Sequence, residues 1–204
     1  MYFGRVVCVG QTHDGHMAMF YRLASQACPG REIIGNNDEL RVVPKVGWEG
    51  DFDWRNSFLT YTAFIRVPDF TVVGNGDHTK AIAQVIQDGS DPYRTLGRVL
   101  ADYGPEEDGL NTPRIVGVLS AHENRAWIGI VGQESLHVEI CEPRPGGWSM
   151  VATEFRDRQY IQEDFRPIRL KSLADFVCGQ EQGTMATIIV VQKQNELEVE
   201  VQNY

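Results

Sequence analysis

Helical spacing is confined almost entirely to one stretch near the middle of the chain, and this limits the fold more than any other feature. Ile82, Val85 and Ile86 repeat at helical spacing behind a Thr79 cap, and Leu96, Val99, Leu100 and Tyr103 do so behind Asp91-Pro92. Gly104-Pro105 ends the second helix, since proline removes a donor and clashes with the preceding turn. A short third helix is expected from Ser172 to Cys178. The rest reads as strand. Phe3 to Val9 alternates, turns at Thr12-His13-Asp14-Gly15, and returns as Met17 to Leu23, with Cys28-Pro29-Gly30-Arg31 closing that unit. Further strands are expected at Arg41 to Val43, Phe58 to Val67, Thr71 to Val73, Ile115 to Leu119, Ala126 to Val131, Leu136 to Cys141 and Met150 to Phe155. A last hairpin, Thr187 to Val191 and Leu197 to Val201, turns around Gln194-Asn195. Two central helices among many hairpin-like strands point to the α+β class, with antiparallel sheet and helices segregated from it. No repeat, low-complexity segment or linker interrupts the pattern, so residues 1–204 are read as a single domain.

Composition narrows the function classes. No apolar run approaches the roughly 18 residues of a membrane span. The opening MYFGRVVCVG lacks a charged leader and a cleavage site, so a cytoplasmic protein is expected. Cys8, Cys28, Cys141 and Cys178 are far apart and form no Cys/His spacing of a metal site, so four reduced thiols and no metal or organic cofactor are expected. A formal net charge of −9 argues against nucleic acid as a partner, because phosphates need a basic surface. One small anion, held by two or three converging arginines, is compatible with that charge.

Four clusters carry side chains suited to chemistry. The first is VVGNGDHT, Val72 to Thr79, where a strand becomes a helix. As plain structure, Gly74 and Gly76 supply positive φ, Asp77 or Thr79 caps the helix, and His78 is a solvated loop residue. As a site, the helix start with the Asn75 amide and the Gly76 N–H attracts a phosphate or a developing oxyanion. The second is FYRLASQACPGR, Phe20 to Arg31, read either as two surface arginines or as an anion-binding fork of Arg22 and Arg31 aided by Tyr21 and Ser25. The third is EEDGLNTPRI, Glu106 to Ile115: a solvated acidic run and turn, or Asn111, Thr112 and Arg114 poised on polar ligand atoms. The fourth is Tyr61, either a core phenol or a proton donor facing a pocket.

Together these pieces resemble the archaeal-type inosine monophosphate (IMP) cyclohydrolase family. The resemblance rests on Met1-Tyr2-x-Gly4-Arg5 with Val9-Gly10, Tyr21-Arg22-x-x-Ser25 with Pro29-x-Arg31, Val73-x-Asn75-Gly76-x-His78-Thr79, and Leu110-Asn111-Thr112-Pro113-Arg114-Ile115, in that order over the first 115 residues. It implies a four-layer αββα sandwich like that of the N-terminal-nucleophile hydrolases. Here that fold lacks the N-terminal nucleophile, since Tyr2 follows Met1 and Cys8 falls within a strand. It implies closure of the purine ring: the carboxamide nitrogen of 5-formamidoimidazole-4-carboxamide ribonucleotide attacks the formyl carbon and water leaves, giving IMP. The implied partner is that small purine nucleotide or its imidazole precursor, and the implied assembly is a homo-oligomer.

On this resemblance Arg22, Tyr61, Asn75 and Glu107 are the expected catalytic residues. Arg22 stabilises negative charge, Tyr61 transfers a proton near the departing oxygen, and Asn75 with Gly76 faces the oxyanion or holds the phosphate. Ser25, Arg31, His78, Thr79, Asn111, Thr112 and Arg114 are expected to complete the substrate contacts. The sequence departs from the family pattern in two places. The loop before Asn111 carries Glu106, Glu107 and Asp108 and no lysine, and Gln26 stands where the family tends to carry arginine. Both changes remove positive charge, which brings in two alternatives: a nucleotide-binding homologue without catalysis, and an amidohydrolase of the same fold.

Overall fold

A computed structural model describes residues 4–24, 30–48, 53, 55, 59–154, 159–161, 184–193 and 196–204. Its first sheet has six strands in the order β11-β10-β1-β2-β12-β13. These are β1 (Val6–Gln11), β2 (Met17–Ala24), β10 (Trp148–Ala152), β11 (Gln159–Ile161), β12 (Thr184–Lys193) and β13 (Glu196–Asn203). Its second sheet runs β3-β4-β5-β6-β7-β8-β9. Those strands are β3 (Arg31–Gly35), β4 (Glu39–Pro44), β5 (Tyr61–Val67), β6 (Phe70–Gly74), β7 (Arg114–Ser120), β8 (Ala126–Val131) and β9 (Leu136–Cys141). Neighbouring strands pair antiparallel in both sheets. Helices α1 (His78–Gln87) and α2 (Pro92–Tyr103) join β6 to β7.

The period of two along each strand sorts side chains between layers. Val7 and Val9 of β1, Met19, Tyr21 and Leu23 of β2, and Ala186, Ile188 and Val190 of β12 point into the space between the sheets. They meet Ile33, Tyr61, Ala63, Val73, Ile115 and Ile128 of the second sheet. The backbones approach closely there, because a Cβ on Gly117 would lie 2.8 Å from Val7 Cγ1. The alternate residues Val6, Cys8, Ala18, Phe20, Met150 and Ile189 form a separate buried cluster on the outer face of the first sheet. On the far side of the second sheet, Ile82, Ala83, Ile86, Leu96, Val99 and Leu100 of the helices cover Val72, Val116 and Val118. Burying apolar surface on both faces explains why β1, β2, β7, β8 and β10 are continuous buried runs.

This is not the four-layer αββα sandwich of the N-terminal-nucleophile-hydrolase type. Among the described residues two predominantly antiparallel sheets carry two helices, both on the seven-stranded sheet. The physical reason is that each helix has one apolar stripe and both stripes are spent on the same sheet face. The helix expected from Ser172 to Cys178, the Gln194-Asn195 turn, and Cys28 and Cys178 lie outside the described residues. Among the described residues no helix is long and apolar enough to cross a membrane.

Local details differ from the sequence reading in instructive ways. Arg31, expected as the last residue of a closing turn, instead opens β3, because β4 offers residues 31–35 a ladder from Arg31↔Pro44 to Gly35↔Leu40. Helix α1 begins at His78 with no side-chain cap, because the Asp77 carboxylate is engaged by Arg114 at 2.8 Å. Helix α2 is capped as its sequence suggests. Asp91 accepts the Arg94 N–H at 2.9 Å, Pro92 opens the first turn, and Gly104 ends the helix at φ 61°.

Candidate active site

At one end of the sandwich the inward-facing positions turn polar. Arg5 continues the inward face of Val7 and Val9, Arg31 that of Ile33, Tyr61 that of Ala63, and Asn75 that of Val73, while Tyr21 sits between Met19 and Leu23. Antiparallel pairing brings these strand ends together, through Val6↔Arg22 in the first sheet and Val42↔Tyr61 and Gly74↔Val116 in the second. The sheets meet directly where the Tyr21 and Tyr61 hydroxyls lie 2.7 Å apart.

Arg5 is the hub. Its Nη1 and Nη2 donate to Glu106 Oε1 and Oε2 at 3.1 and 2.8 Å, and Nη1 also donates to the Asn75 carbonyl at 3.3 Å. The Arg5 backbone is pinned to Thr153, whose Oγ1 accepts the Arg5 N–H at 3.0 Å. Gly4 makes that approach possible: its φ is 65°, and a Cβ there would fall 2.3 Å from Thr153 Oγ1. Burial alone would lower the Arg5 pKa, but Glu106 and the two phenols outweigh it, and the guanidinium holds its proton more firmly than usual. Burial raises the Glu106 carboxyl above the usual carboxylate range, against the opposing pull of Arg5.

Glu106 is delivered by a self-braced loop. Its N–H donates to the Thr112 carbonyl at 2.8 Å, and Asp108 accepts from the Leu110 and Thr112 N–H groups at 3.0 and 3.2 Å and from the Thr112 hydroxyl. Burial would raise the Asp108 carboxyl, but the Thr112 and Leu110 bonds prevail and lower it. Thr112 is therefore a brace within the loop, and Asn111 is exposed at φ 51°. Glu107, expected to be the catalytic acid, points to solvent. The buried carboxylate is its neighbour Glu106, only 1% exposed.

Asn75 is hydrogen-bonded on both sides. Its Oδ1 accepts the Ile115 N–H at 2.7 Å, and its Nδ2 donates to the Pro113 carbonyl at 2.9 Å and to Glu106 Oε1 at 3.4 Å. It clips the end of β6 to the start of β7 and steadies Glu106. Neither Gly74 nor Gly76 has the positive φ expected of it. They are needed for space: a Cβ on Gly74 would lie 2.5 Å from Thr79 Oγ1, and one on Gly76 2.5 Å from Arg114 Nη1.

The remaining expected residues divide. His78, Thr79 and Arg114 gather at the start of α1. His78 is fully buried rather than solvated, with Nε2 3.1 Å from the Ile115 carbonyl, and Arg114 lies 5.3 Å from the Tyr103 ring centroid. Burial and the neighbouring Arg114 charge push the His78 pKa down to about 3, so the ring is neutral. Arg31 is buried, and its charge reaches Tyr21. Arg22, expected with Tyr61 among the catalytic residues, has the opposite parity to Tyr21. It is 0% exposed and leaves the sheet on the Phe20 side, where Nε donates to Thr184 Oγ1 at 2.8 Å and Nη1 to the Gly4 carbonyl at 3.4 Å. Ser25 lies outside the described residues. Among the described residues no three His, Cys, Asp or Glu side chains gather as a metal site would require.

The sequence profile described as IMP cyclohydrolase-like protein matches residues 2–196. The chain belongs to that family. It is 30% identical to the IMP cyclohydrolase of Methanosphaera stadtmanae over 177 residues, covering 87% of this chain and 85% of that protein. It is 34% identical to the IMP cyclohydrolase of Methanothrix thermoacetophila over 171 residues, covering 84% and 80%. To the IMP cyclohydrolase of Methanocaldococcus jannaschii it is 29% identical over 187 residues, covering 89% and 88%. In this family member the sequence reading overlooked two members of the buried cluster, Arg5 and Glu106. Inward parity with Val7 and Val9 marks Arg5, whereas nothing in the acidic run separates Glu106 from Glu107.

Proposed function

We propose that this chain is an IMP cyclohydrolase that closes the purine ring of 5-formamidoimidazole-4-carboxamide ribonucleotide, with loss of water, at the polar end of the sandwich. Family membership supports the activity. The observation that carries the placement is one buried carboxylate, Glu106, clamped by Arg5 at the end where Tyr21 and Tyr61 meet.

The chemistry needs protons moved from nitrogen to oxygen. One leaves the carboxamide nitrogen and one the formamide nitrogen, while two arrive at the formyl oxygen, which departs as water. Glu106 receives a proton from nitrogen. Its carboxylate has about four acceptor positions, of which Arg5 and Asn75 use three, and its raised pKa improves it as a base toward a weakly acidic amide. Tyr61 delivers a proton to the formyl oxygen. Arg5 and Arg31 favour the negative charge that accumulates there, in a site where burial strengthens the interaction. Asn75 acts by holding Glu106 and the β6–β7 connection, since its own donors are already engaged. The loop has no lysine, and Arg5 supplies the cation beside Glu106 in its place. The test is direct: the folded protein incubated with the formylated nucleotide should develop the absorbance of IMP, and a folded protein that forms none overturns the reading.

A further inference from the structure

The Tyr21–Tyr61 contact holds more than packing. Two hydroxyls 2.7 Å apart share one of their two protons. Among the described residues neither hydroxyl makes another hydrogen bond, so the second proton is unspent. Tyr21 is the deeper of the two, fully buried in the middle of the inward face of β2, while Tyr61 opens its strand at the polar end. Burial, then the neighbouring phenol, pushes the Tyr21 pKa well up, against the charges of Arg5 and Arg31. Tyr21 thus keeps its proton and donates it, and the Tyr61 proton is left to meet a ligand.

We propose that Tyr21 is a positioning residue for ring closure: its hydroxyl donates to Tyr61 Oη, aims the Tyr61 proton at the departing oxygen, and stabilises the phenolate left when that proton is given. This rests on the ring-closure reading above. In the step, the Tyr61 O–H bond breaks, its proton joins the carbinolamine hydroxyl, the C–O bond breaks and water leaves. Of the two protons shed by the ring nitrogens, one makes the carbinolamine hydroxyl and the other restores Tyr61, so none is gained or lost over a turnover. Among the described residues the charged groups facing the pair are Arg5 ahead of β1, Arg31 of β3, and Glu106 on the far side of Arg5. The arginines favour the transient phenolate and Glu106 opposes it.

Tyr21→Phe removes one oxygen and leaves the ring in the core. A charged hydrogen bond lost only in the transition state lowers kcat roughly ten- to hundredfold and leaves KM within about twofold. Unchanged kcat, or a loss confined to KM, overturns the proposal. Tyr61→Phe separates this from the reading beneath it. If Tyr61→Phe turns over like wild type, Tyr61 is not the donor and the proposal falls with it. If Tyr61→Phe is impaired while Tyr21→Phe is not, only the role of Tyr21 is lost.

Discussion

The two ends of the sandwich are made from the same strands and differ in what the inward face becomes where the strands stop. At one end it becomes Arg5, Arg31, Tyr61 and Asn75, with Glu106 brought in by a loop, all buried. At the other it stays apolar through Met17 and Leu119, and Gln11 is tied locally to the Gly15 carbonyl and Asn124. That end has charges as well, but they sit outside: His122 with Asp69, Arg125 with Glu142 and Glu123, and Lys193 with Glu198 are all well exposed. Charge count does not distinguish the ends. Burial does, because a buried charge needs partners in fixed places and then acts in a medium that screens it little. The difference teaches that the proposed site lies at the end where, among the described residues, the fold tolerates buried ionic groups.

The sharpest way to break the comparison is within two adjacent residues. Glu106→Gln keeps the shape of the buried acid and removes its basicity, so turnover should fall about 10²–10⁴-fold, while Glu107→Gln should leave it near wild type. Equal effects from the two would erase the distinction between buried and exposed acid. Next comes Asn75→Ala, which strands the Ile115 N–H and the Pro113 carbonyl. It should lower unfolding stability by roughly 2–3 kcal/mol in denaturant melts, with nucleotide affinity per folded molecule largely kept. A loss of affinity at unchanged stability would instead make Asn75 a ligand contact.

A pH measurement sharpens the same contrast. His78 titrates at about 3 in the folded chain against 6.5 as its ordinary value, so between those limits the unfolded chain binds the extra proton. Stability should therefore decline as pH falls through that window, by up to about 1.4 kcal/mol per pH unit from this group. The His78→Gln variant should show a shallower acid slope, and a slope identical to wild type would contradict the neutral buried ring. The smallest effect is expected at the opposite end. Arg125→Ala should change stability by less than about 1 kcal/mol and leave ring closure untouched, because its pairs with Glu123 and Glu142 are exposed.

Much of the fold was legible because local pattern and packing agree. Ala126–Val131 and Leu136–Cys141 were read end to end, and both central helices were found from their apolar stripes. What failed depends on partners distant in sequence. The strand at Arg31 exists because β4 lies beside it, and the layer count depends on which sheet face the helices choose. The same holds for the site. Tyr61 and Arg31 were singled out and lie on the inward face. Arg22 was singled out too, yet a period of two sends it to the opposite face from Tyr21 next to it. Nothing local separates the exposed Glu107 from the buried Glu106, because burial is not written in a run of acids. The solvated alternative for His78 fails because Tyr103 and Arg114 pack around it, which nothing local shows.

The central claim is that the nucleotide binds at the polar end, and hydrogen exchange with and without IMP tests it most directly. IMP should slow exchange of amides around Arg5, Tyr61, Asn75 and the Glu106–Ile115 segment, while those around Gln11, His122 and Arg125 exchange as before. Protection concentrated around Gln11, His122 and Arg125 would contradict it.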